Sequence, residues 1–341
     1  MKNIILSRTD SLGDVILTLP LAGVLKNHFP GCQIIFLGKA YTQTVIETCS
    51  NVDLFLDWDE ISDIKDPESG IDALKRLNAD VIVHVFPVKA ICRLAKKAGI
   101  PLRISTSHRW FSWLYCNQLI HFSRKKSDLH EAQLNLKLLE PLGIKEEIPV
   151  TRIPDFYGLT RIGNNLPQFI STMISSDHFN LILHPKSKGS AREWGVDNFS
   201  RMIELLPQDK FKIFITGTKE EGDRMKDFIS GHKDRIIDLT GKLTLSEFLV
   251  FINMCDGMVA ASTGPLHIAA ALGKRAIGLY APMRPIFPQR WAPLGKNADY
   301  LVLEKSCEKC RHTNDCECIR NIQPEEVVKK LMEDKLQNSR M

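Results

Sequence analysis

The stretch that decides the architecture is IILSRTDSLGDVILTLPLAGVLKNH, residues 4–28. Ile4 to Ser7 is an apolar run of strand length, and from Asp14 to His28 apolar residues recur at helical spacing. A polar turn containing Arg8, Asp10, Ser11 and Gly13 separates them. The pattern continues outward. QIIFL at 33–37, VDLFL at 52–56 and DVIVHVF at 80–86 read as strands, with helical patterns between them. Continuous apolar strands separated by helices predict a parallel sheet covered on both faces. The pattern loosens between Glu146 and His178, where Pro149, Pro154, Gly158, Gly163 and Pro167 interrupt it. It restarts with NLILH at 180–184, KIFIT at 212–216, RIID at 235–238, GMVAA at 257–261 and RAIGLYA at 275–281. The expectation is an α/β chain of two Rossmann-like α/β/α domains facing an interdomain cleft, over residues 1–165 and 166–320. Residues 321–341 are expected to form a terminal helix and tail, the helix opening with Pro324, Glu325 and Glu326.

Bulk properties agree with this. The chain has 341 residues, long for one domain at roughly 100–200 residues each. Its 44% hydrophobic and 25% charged content is ordinary for a soluble globular protein. No apolar stretch reaches the roughly 20 residues of a membrane span, and the N-terminal apolar run is too short for a signal peptide, so a cytoplasmic protein is expected. The net charge of +5 is unevenly spread. Between Asp80 and Asp128 there is no acidic residue, while Lys89, Arg93, Lys96, Lys97, Arg103, Arg109, Arg124, Lys125 and Lys126 all occur. That segment also contains Trp110-Phe111-Ser112-Trp113-Leu114-Tyr115. Basic residues beside aromatics suit an anionic membrane surface or an anionic glycolipid acceptor, with peripheral contact through 84–126; aromatics packed into the core are the plainer alternative. No nucleic-acid-binding motif accompanies the charge, and no nucleic-acid partner is expected.

Three strand-to-helix turns carry candidate chemistry. In the first, Ser11, Gly13 and Asp14 follow the first strand, at the edge where open parallel sheets bind ligands. Asp14 there is placed to accept a proton from a hydroxyl, or simply to cap a helix. The second is His184-Pro185-Lys186-Ser187-Lys188-Gly189-Ser190-Ala191-Arg192-Glu193-Trp194, whose small and cationic residues suit a diphosphate or form a solvated basic loop. The third is Ser262-Thr263-Gly264-Pro265-Leu266-His267, where a helix begins and leaves N–H groups for an anion, unless ordinary capping accounts for it. No G-x-G-x-x-G follows the first strand, which argues against a nicotinamide-dependent oxidoreductase.

Taken together, SLGDVILTLP at 11–20, HPKSKGSAREWGVDNF at 184–199, ITGTKEE at 215–221, DLTGKLTLSEF at 238–248, STGPLHIAAALG at 262–273 and RWAPLG at 290–295 resemble the heptosyltransferases of glycosyltransferase family 9. The resemblance implies a GT-B fold, an inverting and metal-independent mechanism without a cofactor, and a nucleotide-sugar donor such as ADP-heptose. It implies an acceptor of the lipopolysaccharide core or lipid A type, reached at the cytoplasmic face of the inner membrane. Asp14 matches the family's general base, with Ser11 and Gly13 on the acceptor-side loop. Arg192 falls where another member has a Lys beside the donor phosphates, and Lys188 and the N–H groups of Thr263 and Gly264 are expected to join it in stabilising charge on the departing diphosphate. Thr240 and Gly241 match the segment near the nucleotide base. Ser262 stands where one member has an Asp touching the donor sugar, which leaves the sugar's identity open, and His267 is either a donor ligand or a packed helix residue. A family 9 relative using another nucleotide sugar and a non-catalytic sugar-binding paralogue remain the alternatives.

Two features stand outside this reading. Asp57-Trp58-Asp59 spells the DxD metal signature of a different glycosyltransferase fold, and no metal is assigned to it. Of nine cysteines, Cys32, Cys49, Cys92, Cys116 and Cys255 lie in apolar segments and are read as reduced buried thiols. Cys307, Cys310, Cys316 and Cys318 are reduced thiols, a zinc site or a disulfide by spacing alone.

Overall fold

The computed structural model describes the chain except for residues 64–66, 285, 304–306, 308–315 and 339–341. It divides into two compact units, Met1–Arg161 and Ile162–Met341.

The first unit holds strands β1 (Asn3–Ser7), β2 (Gln33–Gly38), β3 (Leu54–Asp57), β4 (Val81–His84), β5 (Leu102–Thr106) and β6 (Gln118–Ile120). They form one sheet in the order β3-β2-β1-β4-β5-β6, and every pairing is parallel. The chain steps outward from β1 to β3, returns to the other side of β1 and steps outward again. The point of reversal therefore lies between β1 and β4, and a parallel sheet opens its ligand crevice at the carboxyl ends of those two strands. The second unit repeats the plan with β7 (Phe179–His184), β8 (Phe211–Ile215), β9 (Ile236–Asp238), β10 (Gly257–Ala261), β11 (Arg275–Tyr280) and β12 (Ala298–Val302). Its order is β12-β11-β10-β7-β8-β9, also parallel throughout, with the reversal between β7 and β10.

Each unit has its own apolar core. In the first, Ile5, Ile35, Leu37 and Ile82 from the sheet pack against Ile61, Leu74, Ile91 and Ala95 from covering helices. In the second, Leu181, Leu183, Ile213, Ile215, Val259 and Ile277 meet Trp194, Phe199, Met202, Ile319, Val327 and Leu331. The terminal helix, Pro324–Asn338, packs against the helix Val196–Leu205 and belongs to the second unit.

The structure departs from the sequence reading in two places. The helical stretch after Asp14 is two helices, Leu12–Ile16 and Leu19–His28. Pro20 causes the break: it has no N–H to donate to Ile16, and its ring fits only the first turn of a helix. The Thr18 hydroxyl turns back onto the Asp14 carbonyl at 2.8 Å and closes the first helix. Strands β5, β6 and β12 were not legible. β6 has only three residues, β12 is half-buried along its whole length, and β5 carries Arg103, whose side chain leaves the sheet to reach the Tyr115 carbonyl at 2.7 Å.

Candidate active site

In the first unit the turn after β1 is organised by Arg8. Its side chain is 2% exposed, and burial alone would disfavour its charge. Asp14, Asp10 and Glu131 outweigh that penalty and hold the guanidinium protonated. Nε donates to Asp10 Oδ1 at 2.7 Å and Nη1 to Glu131 Oε1 and Asn135 Oδ1, both at 3.3 Å, while Nη2 pairs with Asp14 Oδ1. The other Asp14 oxygen accepts from the Ser11 hydroxyl. Ser11 is the N-cap residue of the helix Leu12–Ile16, yet its side chain makes no cap bond to that helix and serves the Asp14 carboxylate instead. Gly13 lies between them in the same short helix. Asp14 is 16% exposed, so the carboxylate is oriented from both sides and still reaches solvent. Burial pushes the neighbouring Asp10 carboxyl up, against the opposing pull of Arg8. The Tyr41 hydroxyl donates to the Asp10 carbonyl at 2.5 Å.

The support behind Arg8 comes from far along the chain. Glu131 and Asn135 lie one turn apart on the helix Glu131–Leu136, so both face the same side. Arg124 joins them, pairing with Glu131 and donating to Asn135 Oδ1 at 2.9 Å and to the Val85 carbonyl at 2.8 Å. Asn135 Nδ2 donates to the Leu17 carbonyl at 3.0 Å. This ties the turn after β1 to the segment after β4, the two sides of the reversal point.

In the second unit the loop after β7 is bound to its neighbours through Glu221. Lys188 and Gly189 both adopt the left-handed region, at φ 49° and 80°. That bend points the Lys188 N–H at Glu221 Oε1, 3.2 Å away, while Glu221 Oε2 accepts the Thr218 N–H at 2.8 Å in a capping box. The Lys188 side chain is exposed. Lys186 pairs with Glu193 at 2.9 Å. A cavity of about 580 Å³ opens along this loop, lined by Lys186, Gly189, Arg192, Glu193 and Arg320 among others. Its charged lining is Lys186, Arg192 and Arg320 against Glu193 and Asp197, one positive charge in excess. Arg192 also lines a smaller hollow together with Ser262 and Tyr280, so the loops after β7 and β10 meet there, across the reversal point.

Thr263 is the N-cap of the helix Gly264–Ala271 and makes no side-chain cap bond. Its hydroxyl is buried without a hydrogen-bond partner among the described residues. The first-turn N–H groups of that helix, with Pro265 at its start, present positive charge to an anion. His267 lies inside the helix, 3% exposed, and its N–H donates to the Thr263 carbonyl at 3.3 Å. Thr240 bonds Asp238 Oδ1 through its N–H (2.9 Å) and its hydroxyl (2.7 Å). Gly241 has φ 67°, and its N–H donates to the Gly217 carbonyl at 2.9 Å. A Cβ at Gly241 would meet Lys219 Cβ at 2.8 Å, so this turn needs glycine on both counts. His184, the last residue of β7, shares a 2.9 Å hydrogen bond with Thr216 and stacks on Phe248. Burial pushes its pKa down to about 4, against a smaller opposing pull from Glu221, so the ring is neutral at pH 7.

The expected residues thus gather in two clusters: Ser11, Gly13 and Asp14 in the first unit, and Lys188, Arg192, Thr240, Gly241, Ser262, Thr263, Gly264 and His267 at the carboxyl edge of the second. Sequence reasoning missed Arg8, Arg124, Glu131, Asn135 and Glu221. Glu221 alone had a local signal, the Thr-x-x-Glu capping pattern from Thr218.

Asp57 and Asp59 cap backbone: Asp57 Oδ1 accepts the Asp59 N–H at 2.8 Å and Asp59 Oδ2 the Ala40 N–H at 3.3 Å. Cys316 and Cys318 are buried in the second core and Cys307 packs against it; Cys310 lies outside the described residues. Trp110 and Trp113 are each 63% exposed and Leu114 is exposed beside them, so these side chains are not core. Lys89 sits over the Trp110 ring at 4.9 Å. No helix among the described residues is long and apolar enough to cross a membrane.

The sequence profile described as "Glycosyltransferase family 9 (heptosyltransferase)" matches residues 115–319. A putative glycosyltransferase of Haemophilus influenzae is 26% identical over 302 residues, 86% of each chain. Lipopolysaccharide heptosyltransferase 3 of Escherichia coli is 24% identical over 301 residues, 82% of each chain. Among solved structures, Escherichia coli ADP-heptose lipopolysaccharide heptosyltransferase II shares the fold with a TM-score of 0.74 at 16% identity, over 99% of this chain and 100% of that one.

Proposed function

The chain belongs to glycosyltransferase family 9, and from that premise we propose that it transfers a heptose from an ADP-activated donor, with inversion and without a metal ion, onto a lipopolysaccharide core acceptor. The observation that carries this reading is the Asp14 carboxylate at the reversal point of the first sheet, held by Arg8 and Ser11 yet reaching solvent. An acceptor hydroxyl attacks the anomeric carbon, Asp14 takes its proton, and the bond from that carbon to the diphosphate breaks. General-base assistance of this kind is typically worth about 10²–10⁴ in rate.

The donor lies along the second unit's edge in this reading. Lys188, Arg192 and the N–H groups of Thr263 and Gly264 take up the charge that grows on the departing ADP, the task a metal ion performs elsewhere. Ser262, beside Arg192, contacts the sugar; Thr240 and Gly241 flank the base; His267 braces the helix start. The exposed Trp110, Trp113 and Leu114, with Lys89, Arg93 and Lys97 nearby, favour an anionic glycolipid surface on the acceptor side and a peripheral place at the cytoplasmic face of the membrane.

Calorimetric binding of ADP, UDP, GDP and CMP, each with and without magnesium, tests the donor. Selective, magnesium-independent binding of ADP is expected. Preference for another nucleotide reassigns the donor, and absence of binding removes the transferase reading in favour of a silent paralogue.

A further inference from the structure

The first unit contains a second cluster that the transfer chemistry does not use. Its sheet register pairs Ser7 with His84, and Ser105 follows Ile104, the partner of Val83, so the three side chains form one row on one face. Over that row lie Cys92, on the helix Lys89–Lys97, and Cys116, which ends the helix Trp110–Tyr115. One ligand atom each from His84, Cys92 and Cys116 lies within 4.8 Å of the others. His84 and Cys92 are fully buried and Cys116 is 8% exposed.

The row is under-satisfied. Among the described residues, neither ring nitrogen of His84 nor the Ser7 hydroxyl has a regular hydrogen bond, and the Cys116 thiol is the group that faces the His84 ring. Leaving a buried polar group unpaired is costly, and most native structures avoid it. Two thiols and an imidazole, converging from a strand, a helix and a helix end, are the donors that borderline and soft cations select. Two thiolates and a neutral imidazole would cancel a divalent charge, so the cluster could stay buried without net charge. The Ser105 hydroxyl, 3.0 Å from the Ser112 hydroxyl, faces the Cys116 sulfur and offers an oxygen for a fourth position.

The geometry points to a structural metal site of the zinc class formed by His84, Cys92 and Cys116. Binding displaces one proton from each thiol as two sulfur–metal bonds form, with no change of oxidation state. The ion satisfies His84 and ties both covering helices to the carboxyl end of β4, one strand from the turn that carries Arg8 and Asp14. It stands apart from the transfer step and does not depend on the donor assignment.

The test is titration of the full chain, reduced and stripped with a chelator, with Co²⁺ and then Zn²⁺. It is run in a background where Cys307, Cys310, Cys316 and Cys318 are replaced by Ser, which removes the other cysteine cluster. One equivalent of Co²⁺ should give thiolate-to-cobalt charge-transfer absorption and tetrahedral bands, both bleached by Zn²⁺. Adding Cys92→Ala with Cys116→Ala should abolish the signal, and His84→Asn should weaken binding at least about tenfold. An identical titration in the Cys92/Cys116 double variant overturns the site. In the wild-type chain, where folding is not in question, Zn²⁺ should protect Cys92 and Cys116 from alkylation as read by peptide mass spectrometry. Equal alkylation with and without Zn²⁺, or a Cys92–Cys116 disulfide in a protein that takes up no metal once reduced, also overturns it.

Discussion

Arg8 is the residue on which the first cluster turns. It is buried, it bridges three carboxylates and an amide, and it holds one oxygen of Asp14. A lysine keeps the charge but replaces the planar fork with a single point donor, so it cannot serve all of them. Arg8→Lys should therefore lower kcat by about tenfold or more while leaving donor affinity nearly unchanged, a split that steady-state kinetics with separate donor titration resolves. An unchanged kcat would mean that Asp14 needs no such orientation. His184 supports a pH prediction. Its folded pKa lies near 4 and its ordinary value is 6.5, so as pH falls from 6.5 towards 4 the unfolded chain takes up a proton that the folded one refuses. Stability is thus lost across that window, by about 3 kcal/mol from this one group once both states are protonated, at about 1.4 kcal/mol per pKa unit. Urea midpoints measured from pH 7 to pH 4 should fall less steeply for His184→Gln than for the wild type.

At the scale of elements, local pattern and long-range support part company. Most of the nine strands read from sequence are continuous apolar runs, as burial on both faces requires; of the three that escaped, β6 and β12 are edge strands, one very short and one half-buried, and β5 is an inner strand whose pattern is diluted by Arg103 and by polar residues. The candidate site divides in the same way. Asp14, Arg192 and Thr263 stand out in the sequence because strand-to-helix turns carry a compositional signal, whereas Glu131 and Asn135 reach Arg8 from more than a hundred residues away and nothing local marks them. Close packing gives a test here. The helix Leu19–His28 lies against the Ile153–Phe156 turn at Gly23, where a Cβ would come within 2.9 Å of the Phe156 Cα. Gly23→Ala should destabilise the protein by about 1–3 kcal/mol, measured by denaturant unfolding, because backbone must shift to admit the methyl. The helix Trp110–Tyr115 supplies another. Replacing Trp110 and Trp113 by Ser should weaken sedimentation with vesicles containing anionic lipid at least about tenfold and leave binding to nucleotide unchanged. Undiminished vesicle binding would remove this face from the acceptor side.

For the whole molecule, the same six-stranded plan occurs twice, and each copy places candidate residues at its own reversal point, joined in the second by Thr240 and Gly241 after the edge strand β9. A sequence shows the repetition of strands and helices but not their order across a sheet, so the position of the crevice became legible only with the pairing. The second unit carries every proposed donor contact and a core of its own. Residues 162–341 expressed alone should therefore fold and bind ADP within about tenfold of the full chain, a difference of about 1.4 kcal/mol by calorimetry. In the proposed reaction Asp14 is the base, and the direct test is turnover of Asp14→Asn with an ADP-heptose donor alongside the donor Kd. The predicted result is a fall in kcat of about 10²–10⁴ with the Kd nearly unchanged. Retention of more than about a tenth of wild-type turnover would exclude Asp14 as the base.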